Sequence, residues 1–141
     1  MKGSFVVIGI AWVLYAASWF IEALGTIAGW QAFLNALFDP FDTSFGGSLV
    51  IKVIYVSSAL TNLLMIASPV IMLGRFDRLK RALPWLLMLA TILNAQWFAF
   101  LVDNRAALRA GYYLWCASFF MVGFACFLNQ RVGRATRATT E

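Results

Sequence analysis

Among the polar side chains that interrupt the apolar stretches of this chain, seven form a candidate intramembrane site: Glu22, Lys52, Tyr55, Ser58, Asn62, Asn94 and Gln96. In a hydrocarbon setting each needs a partner or a purpose, because unpaired polar groups at depth are costly. Glu22 and Lys52 fall near the same end of their segments, where an ion pair would tie the first two segments together. Such a pair sets packing without adding net stability when buried, whereas a lone carboxylate would suit proton relay. Asn62 and Asn94 fall near the middle of theirs. Hydrogen bonds between polar groups on neighbouring membrane helices are worth about 0.6 kcal/mol, at most about 2. The structural expectation is therefore an Asn–Asn or Asn–Thr clasp. The functional rival is a polar step in a permeation path, entered from a vestibule near Glu22, Lys52, Tyr55 and Gln96.

Catalytic and metal chemistry find little support. The chain has no histidine, which removes the commonest general base and metal ligand. Neither a glycine-rich phosphate loop nor a serine-nucleophile elbow is present. Glu22, Lys52, Tyr55 and Asp103 could furnish an acid and a base, but nothing in their spacing singles them out. Cys116 and Cys126 lie ten residues apart in one apolar segment. On a helix that is about 15 Å, too far for a disulfide. No enzyme activity, cofactor or metal is expected.

The elements that must carry these side chains are set by composition. Hydrophobic residues make up 62% of the 141 and charged residues 12%, about half the charge of an ordinary soluble domain. A domain this small could not hide so much apolar surface from water. Four stretches, about 5–24, 50–73, 84–102 and 111–128, are long enough to span about 30 Å of hydrocarbon. Lipid obliges them to be helices, since the backbone must satisfy itself. The expected fold is all-α: a membrane bundle of four transmembrane helices over residues 1–130, followed by a basic tail, 131–141. Pro84 is expected in the first turn of the third helix, where its missing N–H costs little. The tail after Asn129 is polar and is expected to lack fixed structure.

Basic residues orient the bundle. Lys2, Arg75, Arg78, Lys80, Arg81, Arg131, Arg134 and Arg137 fall on one side, and Lys52, Arg105 and Arg109 on the other, with Asp39, Asp42 and Asp103. Eight against three predicts a multi-pass protein of the inner (plasma) membrane with both termini cytoplasmic. The same distribution argues against nucleic acid, because the charges form topology signals rather than one binding face. The basic run 75–81 would also attract anionic lipid headgroups.

The first outer loop, 25–47, contains a further helical pattern. Trp30, Phe33, Leu34, Leu37 and Phe38 recur at helical spacing, with Gln31 and Asn35 pointing elsewhere. This predicts a short amphipathic interfacial helix, bounded by Gly29 and by Asp39-Pro40. It would cap the bundle or dock a partner. Trp19, Trp30, Trp97, Tyr112, Tyr113 and Trp115 are expected at the outer membrane boundary and Trp85 at the inner one.

Gly29-Trp30-Gln-Ala-Phe33, Thr61-Asn62, Asn94 with Trp97, and Gly111-Tyr-Tyr-Leu-Trp115 followed by Ser118-Phe119 resemble uncharacterised small four-helix bacterial inner-membrane proteins. The resemblance spans most of the chain and implies no activity. Small multidrug-resistance transporters carry a more central glutamate in their first helix than Glu22. Small fluoride channels open with a glycine-rich, arginine-bearing segment missing here. The functional expectation is a non-enzymatic accessory or interaction subunit that associates with itself, with another membrane protein or with membrane lipids. A small transporter or channel and a toxin-immunity-type membrane protein are the alternatives.

Overall fold

A computed structural model describes residues 2–42, 46–101 and 107–138. Asp103 and Arg105, expected on the outer side, and the last three residues of the tail lie outside the described residues. In order, the chain forms α1 (Lys2–Phe20), β1 (Glu22–Leu24), β2 (Ile27–Ala28), α2 (Gly29–Phe38), a 3₁₀ turn (Asp39–Phe41), α3 (Leu49–Leu73), α4 (Asp77–Phe100) and α5 (Ala110–Ala138).

The four long helices make an up-down bundle. Tyr15 of α1 meets Phe119 of α5 ring to ring, while Gly111, at the start of α5, lies against the backbone of Ile21 and Glu22. Those contacts run α1 antiparallel to α5. α3 and α4 are likewise antiparallel, with Thr61 on Asn94 and Ser57 on Gln96. α5 packs along both α1 and α4, most extensively along α1, and α4 also packs along α3.

Burial is reversed relative to a water-soluble bundle. Ser18, Ser58, Thr61, Asn62, Ser68, Asn94 and Ser118 are buried, while Val13, Leu60, Ile92 and Phe120 stand exposed. Water would favour the opposite arrangement, because exposed apolar surface is unfavourable there. Lipid reverses the preference: tails are as apolar as leucine, so polar residues turn inward to find one another. α3, α4 and α5 are each long and apolar enough to cross a membrane. The chain is thus a small, multi-pass helical membrane protein.

Three expectations change. The first apolar helix ends at Phe20 rather than Leu24, because Glu22–Leu24 pairs antiparallel with Ile27–Ala28 across a turn containing Gly25 (φ 59°). Its apolar run, Phe5–Phe20, is about 24 Å long at 1.5 Å per residue. The ribbon also pairs with the connection into α5: Gly25 N–H donates to Ala107 C=O (2.6 Å), and Arg109 N–H to Ala23 C=O (3.1 Å). A further bond, from Gly29 N–H to Ile21 C=O (3.1 Å), satisfies a carbonyl close to the end of α1, where a helix leaves such groups open.

Pro84 lies two turns inside α4, not in its first turn. A proline cannot donate to the carbonyl four residues back, here Lys80. Gln130 of α5 supplies the missing donor, its Nε2 lying 2.7 Å from Lys80 O. Pro69 inside α3 is handled in the same way: Ser68 Oγ donates to Met65 O at 2.8 Å. Finally, residues 130–138, expected to lack fixed structure, are helical, since α5 continues to Ala138.

Candidate functional site

Bundle packing gathers polar groups around one turn of α3, Ser57-Ser58-Ala-Leu-Thr61-Asn62. Serine, threonine and asparagine three and four residues apart share a helix face. The helices around that face each supply a partner. Asn62 Oδ1 accepts from Tyr15 Oη of α1 (2.9 Å) and from Trp115 Nε1 of α5 (2.9 Å). Its Nδ2 donates to Ser58 O at 2.9 Å. Ser58 Oγ accepts from Trp97 Nε1 of α4 (2.7 Å), and Ser57 Oγ from Gln96 Nε2 (2.8 Å). Tyr112 Oη of α5 donates to Asn94 O. One helical turn is therefore hydrogen-bonded directly to all three other long helices.

Thr61 and Asn94 form an Asn–Thr clasp of 2.8 Å between side chains. The same hydroxyl lies 2.8 Å from Ser58 O, and Asn94 Nδ2 has no partner among the described residues. One hydroxyl proton cannot serve two acceptors. With the Asn94 amide turned over, its NH₂ donates to Thr61 Oγ1 and the hydroxyl proton is free for the Ser58 carbonyl. Oxygen and nitrogen in such amides are assigned from this kind of network.

Of the polar residues predicted from sequence, Ser58, Asn62, Asn94 and Gln96 are brought together. Asn94 and Gln96 are two residues apart on α4, yet both reach α3, Gln96 through Ser57. Glu22 and Lys52 stay apart from this network. Glu22 is exposed on β1, Lys52 is half-buried in the first turn of α3, and no ion pair joins them among the described residues. Tyr55 lies above the network, its ring 5.3 Å from that of Trp97. Trp97 and Trp115, expected at the outer membrane boundary, turn their indole N–H groups into the bundle. The available signal was spacing: Trp97 follows Asn94 by three residues, and Trp115 precedes Ser118 by three.

Above the network, toward the Glu22 end, is a cavity of about 90 Å³, room for a few waters or a small apolar group. Trp19, Phe33, Tyr55, Trp97, Tyr112 and Trp115 wall it, and Ser58 and Asn62 form its polar floor. α2 and the β-ribbon cover it. The rotation of α2 differs from the sequence expectation. Phe33 turns toward Trp19 (5.4 Å between rings), Ala36 is buried, and Asn35 lines the cavity rather than facing away. Trp30, Leu34 and Phe38 form an exposed stripe, with Leu37 between the two sets. The apolar arc is wider than the cavity edge, so only one side of it is buried.

Close backbone approach holds this cover in place. A Cβ on Gly111 would sit 2.7 Å from Glu22 O and 2.8 Å from Ile21 O, and one on Gly29 would collide with the Ser18 carbonyl. Below the floor the bundle closes. Met65, Leu83, Leu87, Phe119 and Val122 are essentially inaccessible and pack into one apolar core.

No family model, curated protein or solved structure matches this chain. The bundle itself is established by its geometry, and the bacterial kinship suggested by its aromatic motifs finds no match.

Proposed function

We propose that this protein is a non-enzymatic membrane binding subunit that takes an apolar group, from a lipid or a membrane-protein partner, into its outer cavity. The observation that carries this reading is the cavity's shape and chemistry. It has aromatic walls, a short helix, α2, as its cover, and a polar floor whose groups already bond to one another. Pockets of this kind select by apolar contact and use a few polar groups for orientation. The packed core beneath weighs against an aqueous path, so conduction is the weaker reading. α1 serves as the fourth crossing, and the positive charge bias puts both termini in the cytoplasm and the cavity in the outer leaflet. The exposed stripe Trp30, Leu34 and Phe38 is then the surface α2 presents to interfacial lipid or to the partner.

The test is native mass spectrometry of the protein extracted gently from its own membranes, beside an Ala32→Phe variant that fills the cavity. A lipid or protein that accompanies the wild type and is lost from the variant is expected. Equal retention by both, or solute flux through wild-type protein in liposomes, would overturn the reading.

A further inference from the structure

A second site lies at the opposite, basic end of the bundle. Trp85 of α4 and Phe127, Gln130 and Arg131 of α5 line an open surface pocket of about 210 Å³. Its geometry is specific. Trp85 meets Phe127 edge-on, with ring centroids 5.6 Å apart at 83°. The Arg131 guanidinium lies over the Phe127 ring, 4.6 Å from its centroid. Gln130 is held by the carbonyls of Lys80 and Arg81, the first of which Pro84 leaves open. That bond anchors the residue next to Arg131 and draws α5 against the start of α4. The guanidinium thus has an aromatic neighbour, and its N–H groups make no hydrogen bond or ion pair among the described residues.

The surroundings are cationic. Arg78, Arg81 and Trp85 are spaced by three and four, so they share one face of α4. Arg75, Arg78, Lys80, Arg81 and Arg131 stand against a single carboxylate at this end among the described residues, Asp77. Arg81 leans back toward the helix start, its Nε 3.4 Å from Asp77 O. Depth agrees with the charge. Residues 82–100 and 111–130 are uncharged, runs of about 28 and 30 Å as helix. Arg81 and Arg131 therefore mark the same boundary of the hydrocarbon layer.

We propose that this pocket binds the headgroup of an anionic phospholipid, with Arg131 donating to its phosphate and Trp85 and Phe127 packing on the glycerol and first acyl carbons. A planar guanidinium suits two-point donation to phosphate oxygens. An aromatic pair one turn deeper suits the apolar part of the same molecule. A free phosphate would use the cation and leave the rings without a role.

Full-length protein in neutral detergent is titrated with short-chain phosphatidylglycerol, phosphatidylcholine or inorganic phosphate, with binding read by native mass spectrometry. Phosphatidylglycerol is expected to bind in preference to phosphatidylcholine and to resist displacement by equimolar inorganic phosphate. R131Q should weaken phosphatidylglycerol roughly tenfold or more, with R131K intermediate because it keeps charge but loses the fork. R109Q, at the other end, should bind as wild type. An unchanged Kd in R131Q, an equal loss in R109Q, equal affinity for phosphatidylcholine, or displacement by inorganic phosphate would each overturn the proposal.

Discussion

The two bonds accepted by Asn62 Oδ1 lead to a non-additive prediction. Tyr15→Phe removes one donor and leaves Trp115 Nε1 in place; Trp115→Phe does the reverse. After either change the buried oxygen keeps one partner, so the lost bond should cost about 0.6 kcal/mol. Phe at 15 also keeps the ring contacts to Trp12, Trp19 and Phe119, which lie at 5.3–5.9 Å. The double variant is different in kind. Asn62 is only 5% exposed, and its oxygen would then have no interhelical donor. An unsatisfied buried acceptor costs about 1–3 kcal/mol, and that penalty appears only in the double variant. Reversible unfolding in mixed micelles, followed by far-UV circular dichroism, would measure all four proteins. Loss of indole volume at 115 occurs in both backgrounds, so it cancels in the cycle. A coupling of about 1–3 kcal/mol is expected from that penalty, falling to nothing when Asn62 is replaced by Leu. Additivity within about 0.5 kcal/mol, or coupling that survives Asn62→Leu, would refute the argument.

Other outcomes follow from the same geometry. Ser68→Ala strips the donor from the Met65 carbonyl that Pro69 leaves open, and should cost about 1–3 kcal/mol; restoring the i to i−4 donor with Ser68→Ala plus Pro69→Ala should recover most of it in the same unfolding assay. Gly111→Ala forces a methyl against the Ile21 and Glu22 carbonyls, with an expected loss of about 1–3 kcal/mol and faster proteolysis of the ribbon and α2. Glu22→Gln should leave stability within about 0.5 kcal/mol of wild type, because the side chain is exposed and outside the polar network; a larger loss in the melting curve would mean that the carboxylate has a structural partner.

The helices and their surroundings were legible because lipid imposes strong local rules. A run of about twenty apolar residues has few structural options, and each charged run marks an end of one. The amphipathic pattern that ends at Asp39-Pro40 likewise located α2, since glycine and proline punctuate a helix by purely local sterics. The stripe Ser58, Thr61, Asn62 could be placed on one face of α3 by periodicity alone, as could Asn94 on α4.

Other features depended on contacts between distant residues. Glu22–Leu24 has a composition as compatible with helix as with strand, and its pairing with 27–28 and 107–109 decided the matter. Trp97 and Trp115 look like boundary aromatics in any sliding window. Only the approach of α3 turns their N–H groups toward Ser58 and Asn62. Pro84 reads as a helix start until Gln130, far along the chain, is found serving the carbonyl it leaves open. Order of residues thus determined that this chain lives in a bilayer, where its helices run and which faces are polar, because hydrophobicity and backbone self-satisfaction act within a segment. Tertiary structure alone decided which polar groups pair, where the cavity lies and how α2 is rotated over it, because those outcomes depend on which faces meet across the bundle.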